Sequence, residues 1–200
     1  MKALRIYLAG PEVFLNNARE VGELKKSLCR KYGFEGVFPL DANLDLKDKA
    51  PREAGLSISE ENERLIRSCE MLIANVTPFR GPSADVGTVY EMGFAHGLGK
   101  RVFAYTNIAF PFTKRTVTAL KNQVSRSKDG KLRDSEGMFI EEADLTDNLM
   151  IDGCINANSK VLVIEEAPAG QLFTYLSGFE KCLIAIQKKK DEKLKTRGRP

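Results

Sequence analysis

The sequence predicts an α/β protein built around one doubly wound parallel sheet. Two hundred residues with 42% hydrophobic content are enough for one such domain with a proper core, and too few for two. Apolar runs such as MLIANV alternate along the chain with segments that have helical apolar spacing. Strands that alternate with helices favour a parallel sheet covered by helices on both faces.

The first half of the chain predicts two strands and two helices. The run LRIYLA is the first strand, and residues 16–32 have the apolar spacing of a helix that ends at Gly33. GVFPL is a short second strand. Residues 41–56 are polar and interrupted by proline, which indicates a loop, and Ser57 then opens, through the capping box SISE, a helix that reaches Cys69.

The second half predicts three further strands. MLIANV leads through a glycine turn into a helix that carries Glu91, and RVFAYT is the next strand. Residues 106–143 are irregular, which is typical of a functional or disordered loop. KVLVIE is the last strand and AGQLFTYLSGFEKCLIAI the last amphipathic helix. We therefore expect one domain over residues 1–187, a three-layer sandwich of flavodoxin-like or Rossmann-like type.

The positive charge of the chain is concentrated at its C-terminal end. The whole sequence has 31 Lys and Arg against 27 Asp and Glu, a net charge of +4. Residues 188–200 hold seven of the basic and two of the acidic residues, which leaves 24 basic and 25 acidic groups elsewhere. A nucleic-acid-binding domain shows its basic excess on the folded surface. We therefore expect no nucleic-acid partner, and a disordered basic tail over 188–200.

The cysteines and the hydropathy pattern indicate a reduced cytoplasmic protein without a metal site. No CxxC pair is present and His96 is the single histidine, which excludes a usual zinc site. No apolar run approaches the length of a membrane span and no leader-like segment precedes the first strand, so no membrane partner is expected. The four scattered cysteines are Cys29, Cys69, Cys154 and Cys182.

The stretch from Pro78 to Lys100 places two carboxylates, Asp85 and Glu91, around a glycine turn that opens into a helix. The apolar strand MLIANV runs directly into this turn, so both groups lie at the carboxyl end of a buried strand, where open α/β sheets bind ligands. Six positions on a continuous helix are about 240° apart, so the carboxylates converge only if the helix begins between them. Gly87 permits such a start.

The position of Glu91 near a helix N-terminus has two interpretations. A carboxylate there is stabilised in its charged form by roughly 0.3–1 kcal/mol, which suits a nucleophile that must be ionised at neutral pH. Alternatively, TVYE from Thr88 to Glu91 is simply a capping box. The spacing taken alone favours the capping box.

Three separated blocks of the chain follow a family pattern in the right order. They are ALRIYLAGPEVF, then PFRG with D-x-G-T-x-x-E-x-G-x-A and K-x-V, and finally DNLMIDG. Together they resemble the nucleoside 2-deoxyribosyltransferase family over most of residues 3–165. The match is closer to the purine-preferring protozoan-type members than to the bacterial members.

The resemblance assigns the chemistry to three residues. Glu91 is the expected nucleophile at C1′ of the sugar, and Asp85 is the expected general acid and base on the nucleobase side. Tyr7 matches a family tyrosine whose hydroxyl orients the Glu91 carboxylate. Alternatively, Tyr7 is an aromatic strand residue that covers an edge of the core.

The resemblance also implies a set of substrate-binding residues. Phe14 packs near the base or anchors its loop, and Asn62 lies where bacterial relatives carry a base-side aspartate. Asn148 and Met150 match an element that reaches the sugar's 5′-hydroxyl end in the neighbouring subunit, although Asn148 could instead be a helix N-cap. The loops that approach the ligand contribute Gly10, Pro11, Arg80 and Gly87.

The reaction implied by the resemblance is transfer of 2′-deoxyribose between nucleobases, with purines as the expected bases. Retention of configuration requires a double displacement through a deoxyribosyl ester of Glu91. No metal or organic cofactor is needed, and the expected partners are 2′-deoxynucleosides, free nucleobases and a second copy of the chain. The alternatives are a nucleoside or 2′-deoxynucleotide N-glycoside hydrolase on the same fold and, further from the pattern, a non-catalytic nucleoside-binding module.

Overall fold

The computed structural model describes residues 3–42 and 44–197, in which strands and helices alternate. The strands are β1 (Leu4–Ala9), β2 (Phe34–Val37), β3 (Met71–Asn75), β4 (Arg101–Thr106), β5 (Val124–Arg126), β6 (Leu132–Asp134) and β7 (Leu162–Ile164). The helices are α1 (Ala18–Lys31), α2 (Pro51–Arg67), α3 (Val86–Gly97), α4 (Phe112–Ala119), α5 (Leu149–Ala157) and α6 (Ser177–Arg197). Short 3₁₀ turns occupy Pro11–Phe14 and Pro39–Asp41.

Five of the strands form one parallel sheet in the order β2-β1-β3-β4-β7. The chain leaves β1 toward β2 on one side and returns to β3 on the other, so the strand order reverses between β1 and β3. The two strands pair in register from Ile6 opposite Met71 to Ala9 opposite Ala74, which places their carboxyl ends side by side. In open α/β sheets the loops that leave such a reversal point enclose a crevice that binds ligands.

Helices cover both faces of the sheet and form two cores. On one face, side chains of α2, α3 and α5 pack against the sheet through residues such as Ile66, Met92 and Ile155. On the other face, α1 and α6 contribute Cys29 and Phe179. Because β3 is buried along its whole length, its sequence is a continuous apolar run and not an alternating one. The predicted fold class, a single doubly wound three-layer α/β sandwich, is therefore confirmed.

Helix α2 begins earlier than expected. The capping box at Ser57 was expected to open it, whereas the helix begins at Pro51, with Ala50 as its N-cap. Proline suits the first helical position because its φ angle is already helical and its missing N–H would have no partner there. The proline that indicated a loop over 41–56 therefore starts the helix.

The stretch 106–143 contains regular structure that hydropathy did not indicate. It holds α4 and an antiparallel hairpin of β5 and β6, so the expectation of an irregular segment was wrong. The hairpin strands are three residues each and largely polar, so they carry no apolar periodicity. Glycines with positive φ, at Gly130 and Gly137, form the turns next to them.

Helix α6 is displaced toward the C-terminus relative to the expected helix. It begins at Ser177, because residues after Pro168 form turns that include Gly170 with a φ of 77°. It continues to Arg197, whereas disorder was expected from residue 188. Lysine and glutamate have high helix propensity, so a charged run can extend a packed helix. The remainder of the expected tail, 198–200, lies outside the described residues, and no helix in the described part is long and apolar enough to cross a bilayer.

A buried ion pair joins the first loop to helix α1 under the carboxyl end of the sheet. Lys25 Nζ donates to Glu12 Oε1 at 2.9 Å, and neither side chain has exposed surface. The same oxygen accepts from Tyr105 Oη at 2.8 Å and from Asn75 Nδ2 at 3.1 Å. Glu12 therefore ties the loop after β1 to the ends of β3 and β4.

We expect Lys25→Met to destabilise the fold by roughly 3–5 kcal/mol, because it leaves the Glu12 carboxylate buried without its cation. The double variant Glu12→Leu with Lys25→Met should lose less than the two single variants together. Urea unfolding followed by circular dichroism measures both. The matched control is Lys31→Met, which removes an exposed lysine 2.8 Å from the partly exposed Glu180, and it should leave the unfolding midpoint nearly unchanged. Equal losses in Lys25→Met and Lys31→Met would contradict the importance of the buried pair.

Candidate active site

The loops after β1 and β3, with the first turns of α3, enclose a cleft of about 150 Å³ at the carboxyl edge of the sheet. It lies at the reversal point between β1 and β3, at the carboxyl end of the MLIANV strand where the sequence placed the carboxylates. Its lining residues are Gly10, Val13, Phe14, Pro39, Leu40, Asn62, Asp85, Gly87, Thr88 and Glu91. The structure thus brings together six residues that the sequence indicated, and adds Val13, Pro39, Leu40 and Thr88.

Glu91 is held in the cleft by a tyrosine from strand β1. Tyr7 is fully buried on β1, and its hydroxyl donates to Glu91 Oε1 at 2.6 Å. Asn62 Nδ2, on α2, donates to the same oxygen at a longer 3.4 Å. Within the described residues Glu91 Oε2 receives no hydrogen bond. The carboxylate is therefore held through Oε1, which leaves Oε2 without a hydrogen-bond partner among the described residues.

The environment of Glu91 opposes its ionisation. Burial raises the pKa of Glu91 to about 7, the hydrogen bond from Tyr7 lowers it in part, and the nearby Asp85 charge raises it. The expectation that the helix N-terminus would favour the charged form was wrong in its net result, since desolvation outweighs a contribution of roughly 0.3–1 kcal/mol. Burial and the Glu91 charge likewise raise the pKa of Tyr7, so its hydroxyl remains a donor.

Asp85 is the N-cap of α3. Its Oδ2 accepts from the backbone N–H of Thr88 at 2.9 Å and from Thr88 Oγ1 at 3.0 Å. The helix therefore begins between the two carboxylates, as the spacing required. Among the described residues, Glu91 does not form the alternative capping box with Thr88, because its carboxylate is turned toward Tyr7. Gly87 was expected to permit this start through its backbone freedom, but it lies within α3 and has no positive φ, so that reason was wrong. A Cβ there would lie 3.1 Å from Asp85 Oδ2, so the glycine keeps space beside the cap.

Phe14 belongs to an aromatic cluster at the rim of the cleft. Its ring is 56% exposed and stacks on Phe79 with centroids 5.2 Å apart. Phe173 meets Phe79 edge to face at 6.0 Å. The Arg80 guanidinium lies 4.6 Å from the Phe79 centroid and 5.2 Å from that of Phe14, and Arg80 has a left-handed φ of 55°. Arg80 therefore braces the rim; the sequence indicated neither Phe79 nor Phe173.

The backbone of the first loop closes tightly on the cleft. A Cβ on Gly10 would overlap Glu12 Oε2 and would lie 2.9 Å from Asn75 Cβ, so only glycine fits there. Pro11 is buried and begins the 3₁₀ turn that carries Phe14. Gly10 forms part of the cleft wall, whereas Pro11 shapes the loop without lining it.

Asn148 and Met150 do not line the cleft of their own chain. Asn148 is the N-cap of α5, with Oδ1 accepting from the Met150 N–H at 3.0 Å and Nδ2 donating to Glu141 at 3.0 Å. Met150 is 71% exposed and borders an apolar groove of about 420 Å³ between α3 and α5. The helix-cap interpretation of Asn148 therefore describes its geometry within one chain.

The remaining sequence signals lie away from the cleft. His96 is at the end of α3, with Nδ1 3.1 Å from Asn158 Nδ2. All four cysteines are free thiols. Among the described residues no group of three or more His, Cys, Asp or Glu side chains is placed to hold a metal ion.

Two solved structures share the architecture over nearly their full length. A 2-desoxiribosyltransferase from Leishmania mexicana is 23% identical, with a TM-score of 0.60 and coverage of 92% of this chain and 97% of that chain. A conserved protein from Enterococcus faecalis V583 is 20% identical, with a TM-score of 0.51 and coverage of 94% and 99%. At these identities the likeness establishes the fold.

Sequence comparisons identify the family. The uncharacterised protein C191.05c of Schizosaccharomyces pombe is 28% identical over 170 residues, which cover 80% of this chain and 81% of that protein. A family model described as nucleoside 2-deoxyribosyltransferase matches residues 6–150, a span that contains Tyr7, Asp85 and Glu91. Because that match covers well over half of the chain, the protein belongs to the nucleoside 2-deoxyribosyltransferase family.

Proposed function

We propose that the protein transfers 2′-deoxyribose from one nucleobase to another through a covalent ester of Glu91. The observation that carries the proposal is the 2.6 Å hydrogen bond from Tyr7 to Glu91 Oε1, in a cleft that also contains Asp85. A half-buried carboxylate held by one oxygen, with a second acid on the same cleft, suits a retaining displacement at an anomeric carbon. Family membership supports a glycosyl-transferring activity.

In the first half-reaction Glu91 Oε2 attacks C1′ as the C1′–N bond breaks. Asp85 donates a proton to the departing base, so the base leaves neutral and the sugar remains as an ester. Thr88 occupies Asp85 Oδ2, which leaves Oδ1 as the oxygen that exchanges the proton. In the second half-reaction an incoming base attacks C1′ and gives its proton to Asp85, and the ester bond breaks. No redox step or cofactor enters this scheme.

The rim of the cleft supports a nucleobase as the leaving group. The exposed ring of Phe14, braced by Phe79 and Arg80, offers a flat apolar surface on which a base can stack. A purine covers more of such a surface than a pyrimidine does, in keeping with the purine preference that the resemblance implies.

The four free thiols are in keeping with a reduced cytoplasmic compartment.

The 5′ end of the sugar is proposed to meet a second subunit. In one chain Asn148 and Met150 do not line the cleft, and Met150 is exposed beside an apolar groove on α3 and α5. Residues that serve a site they do not line in their own chain can do so across a twofold interface, where each copy gives the same element to its partner. This arrangement makes the active unit a homo-oligomer.

Glu91→Gln should abolish transfer from deoxyinosine to adenine while the protein stays folded. A 2′-fluoro-2′-deoxynucleoside should raise the intact mass of the wild-type protein by one sugar, on the peptide that contains Glu91. A label on Asp85 would reverse the two roles, and release of free deoxyribose without transfer would indicate a hydrolase.

The raised pKa of Glu91 also predicts how stability depends on pH. Since the folded pKa of Glu91 lies above its ordinary value, the folded state loses stability as pH rises from about 4.5 to 7, on the order of 3 kcal/mol. Glu91→Gln should therefore melt higher than wild type at pH 8 and not at pH 4.

The rate of ester formation should rise with pH up to about 7, because Glu91 must be ionised to attack and burial raises its pKa to that range. Tyr7→Phe removes the hydrogen bond that lowers the pKa, so its acid limb should move to higher pH and its deficit should be largest below pH 7. Single-turnover rates across pH 5–9 measure this. Identical acid limbs in the two proteins would contradict the role of Tyr7 in holding Glu91 ionised.

Glu91→Ala and Asn148→Ala should each be nearly inactive alone and should complement each other when subunits exchange. In a dimer about half of the molecules are then mixed, and each holds one intact site, so activity should recover toward about a quarter of wild type. Sedimentation establishes the assembly, and a labelled subunit establishes exchange. Proven exchange without recovery would place both residues in the same subunit's site.

A further inference from the structure

The excursion between β4 and α5 reaches back to the loop that carries Asp85. Its helix α4 presents Arg115, whose side chain is 9% exposed. Arg115 Nε donates to the carbonyl of Pro82 at 2.7 Å, and Nη2 donates to the carbonyl of Thr146 at 2.8 Å. Nη1 donates to the carbonyl of Phe110 at 2.5 Å. One guanidinium thus joins three chain segments that are distant in sequence.

Asp147 completes this junction from the other side. It is fully buried, and its Oδ2 accepts from Arg115 Nη2 at 3.2 Å and from the Ala84 N–H at 3.0 Å. Its Oδ1 accepts from Ser83 Oγ and, at 2.8 Å, from the Asn148 N–H. Asp147 therefore binds the two residues immediately before Asp85 and the N-cap residue of α5.

Neither Arg115 nor Asp147 lines the cleft, so neither is placed to touch the substrate. Their contacts end one residue short of Asp85 on one side and at Asn148 on the other. A fully buried carboxylate with four donors is rigid, because any rotation would leave a charge without partners. The pair is thus built to fix a distance between two loops.

We propose that Arg115 and Asp147 are positioning residues that hold Asp85 where it can pass a proton to and from the nucleobase. The inference rests on the proposed function, and it gives the 106–143 excursion a role: it supplies the arginine. Arginine is required because its planar fork serves three carbonyls and one carboxylate at once, which a lysine ammonium cannot do.

The test compares two deoxynucleosides that differ in their need for an acid. Deoxyinosine must be protonated as its base leaves, whereas 7-methyl-2′-deoxyguanosine already carries a cationic base and leaves without a proton. If Arg115 acts through Asp85, Arg115→Lys should lower the rate with deoxyinosine by about tenfold or more. The rate with the methylated substrate, corrected for its spontaneous cleavage, should stay within about threefold of wild type. Asp147→Asn should behave in the same way.

The matched control is Arg126→Lys, on the same excursion, whose partner Glu142 lies at 2.8 Å on the surface. It should leave both rates unchanged. Equal losses with the two substrates in Arg115→Lys would overturn the proposal, because a general loss of structure or a displaced Glu91 affects both. Unchanged rates with both would overturn it as well.

Hydrogen–deuterium exchange gives a readout that does not depend on activity. Arg115→Lys should lose protection in peptides that cover 79–88 and 145–152, while the central strands keep theirs. Unchanged protection in these peptides would overturn the proposal. If the wild-type protein cleaved neither deoxynucleoside, that result would count against the proposed function, and the exchange data would still decide whether Arg115 holds the loops.

Discussion

The buried pair of Glu12 and Lys25 is the constraint on which the site depends. Two charges without solvent are stable only when they are paired and hydrogen-bonded. Glu12 Oε1 accepts from donors on α1, β3 and β4, whereas Glu12 Oε2 is buried without a partner among the described residues. The polar chain continues beyond it. Asn75 Oδ1 accepts from Thr77, and Thr77 Oγ1 accepts from the Asn107 N–H at 3.0 Å. The loops at the carboxyl edge of the sheet are thus joined beneath the cleft before any substrate arrives.

Above this layer the site uses burial for a different purpose. Desolvation of Glu91 in the cleft raises its pKa to about 7, and the hydrogen bond from the Tyr7 hydroxyl lowers that pKa in part. A desolvated carboxylate is a stronger nucleophile than a hydrated one, and it carries a stability cost that the surrounding core must offset. Tyr7 can supply its hydrogen bond because its ring packs in the sheet core while its hydroxyl reaches Glu91, which lines the cleft.

The sequence was informative wherever local pattern determines structure. The strands β1, β3 and β4 are rich in apolar residues because both faces of the sheet are covered, and the helix start between Asp85 and Glu91 agrees with their spacing. The motifs led to Tyr7, Asp85 and Glu91, which the structure brings to one edge of the sheet. What the sequence missed depends on long-range contacts. Asp147 and Arg115 meet across 32 positions, and the polar hairpin of β5 and β6 has no hydropathy signature.

The absence of a side chain at position 10 determines how this cleft can be remodelled. One wall there is bare backbone, locked between Glu12 and Asn75, so it has no rotamers and admits no substitution. If the cleft binds a nucleobase as proposed, redesign of its selectivity has to act on lining residues that carry side chains, such as Leu40, because Phe14 stacks on Phe79 and Asn62 donates to Glu91. One part of the cleft wall is therefore fixed by its backbone, whereas another part can be changed by substitution. Variant libraries directed at the second part leave the buried pair of Glu12 and Lys25 undisturbed.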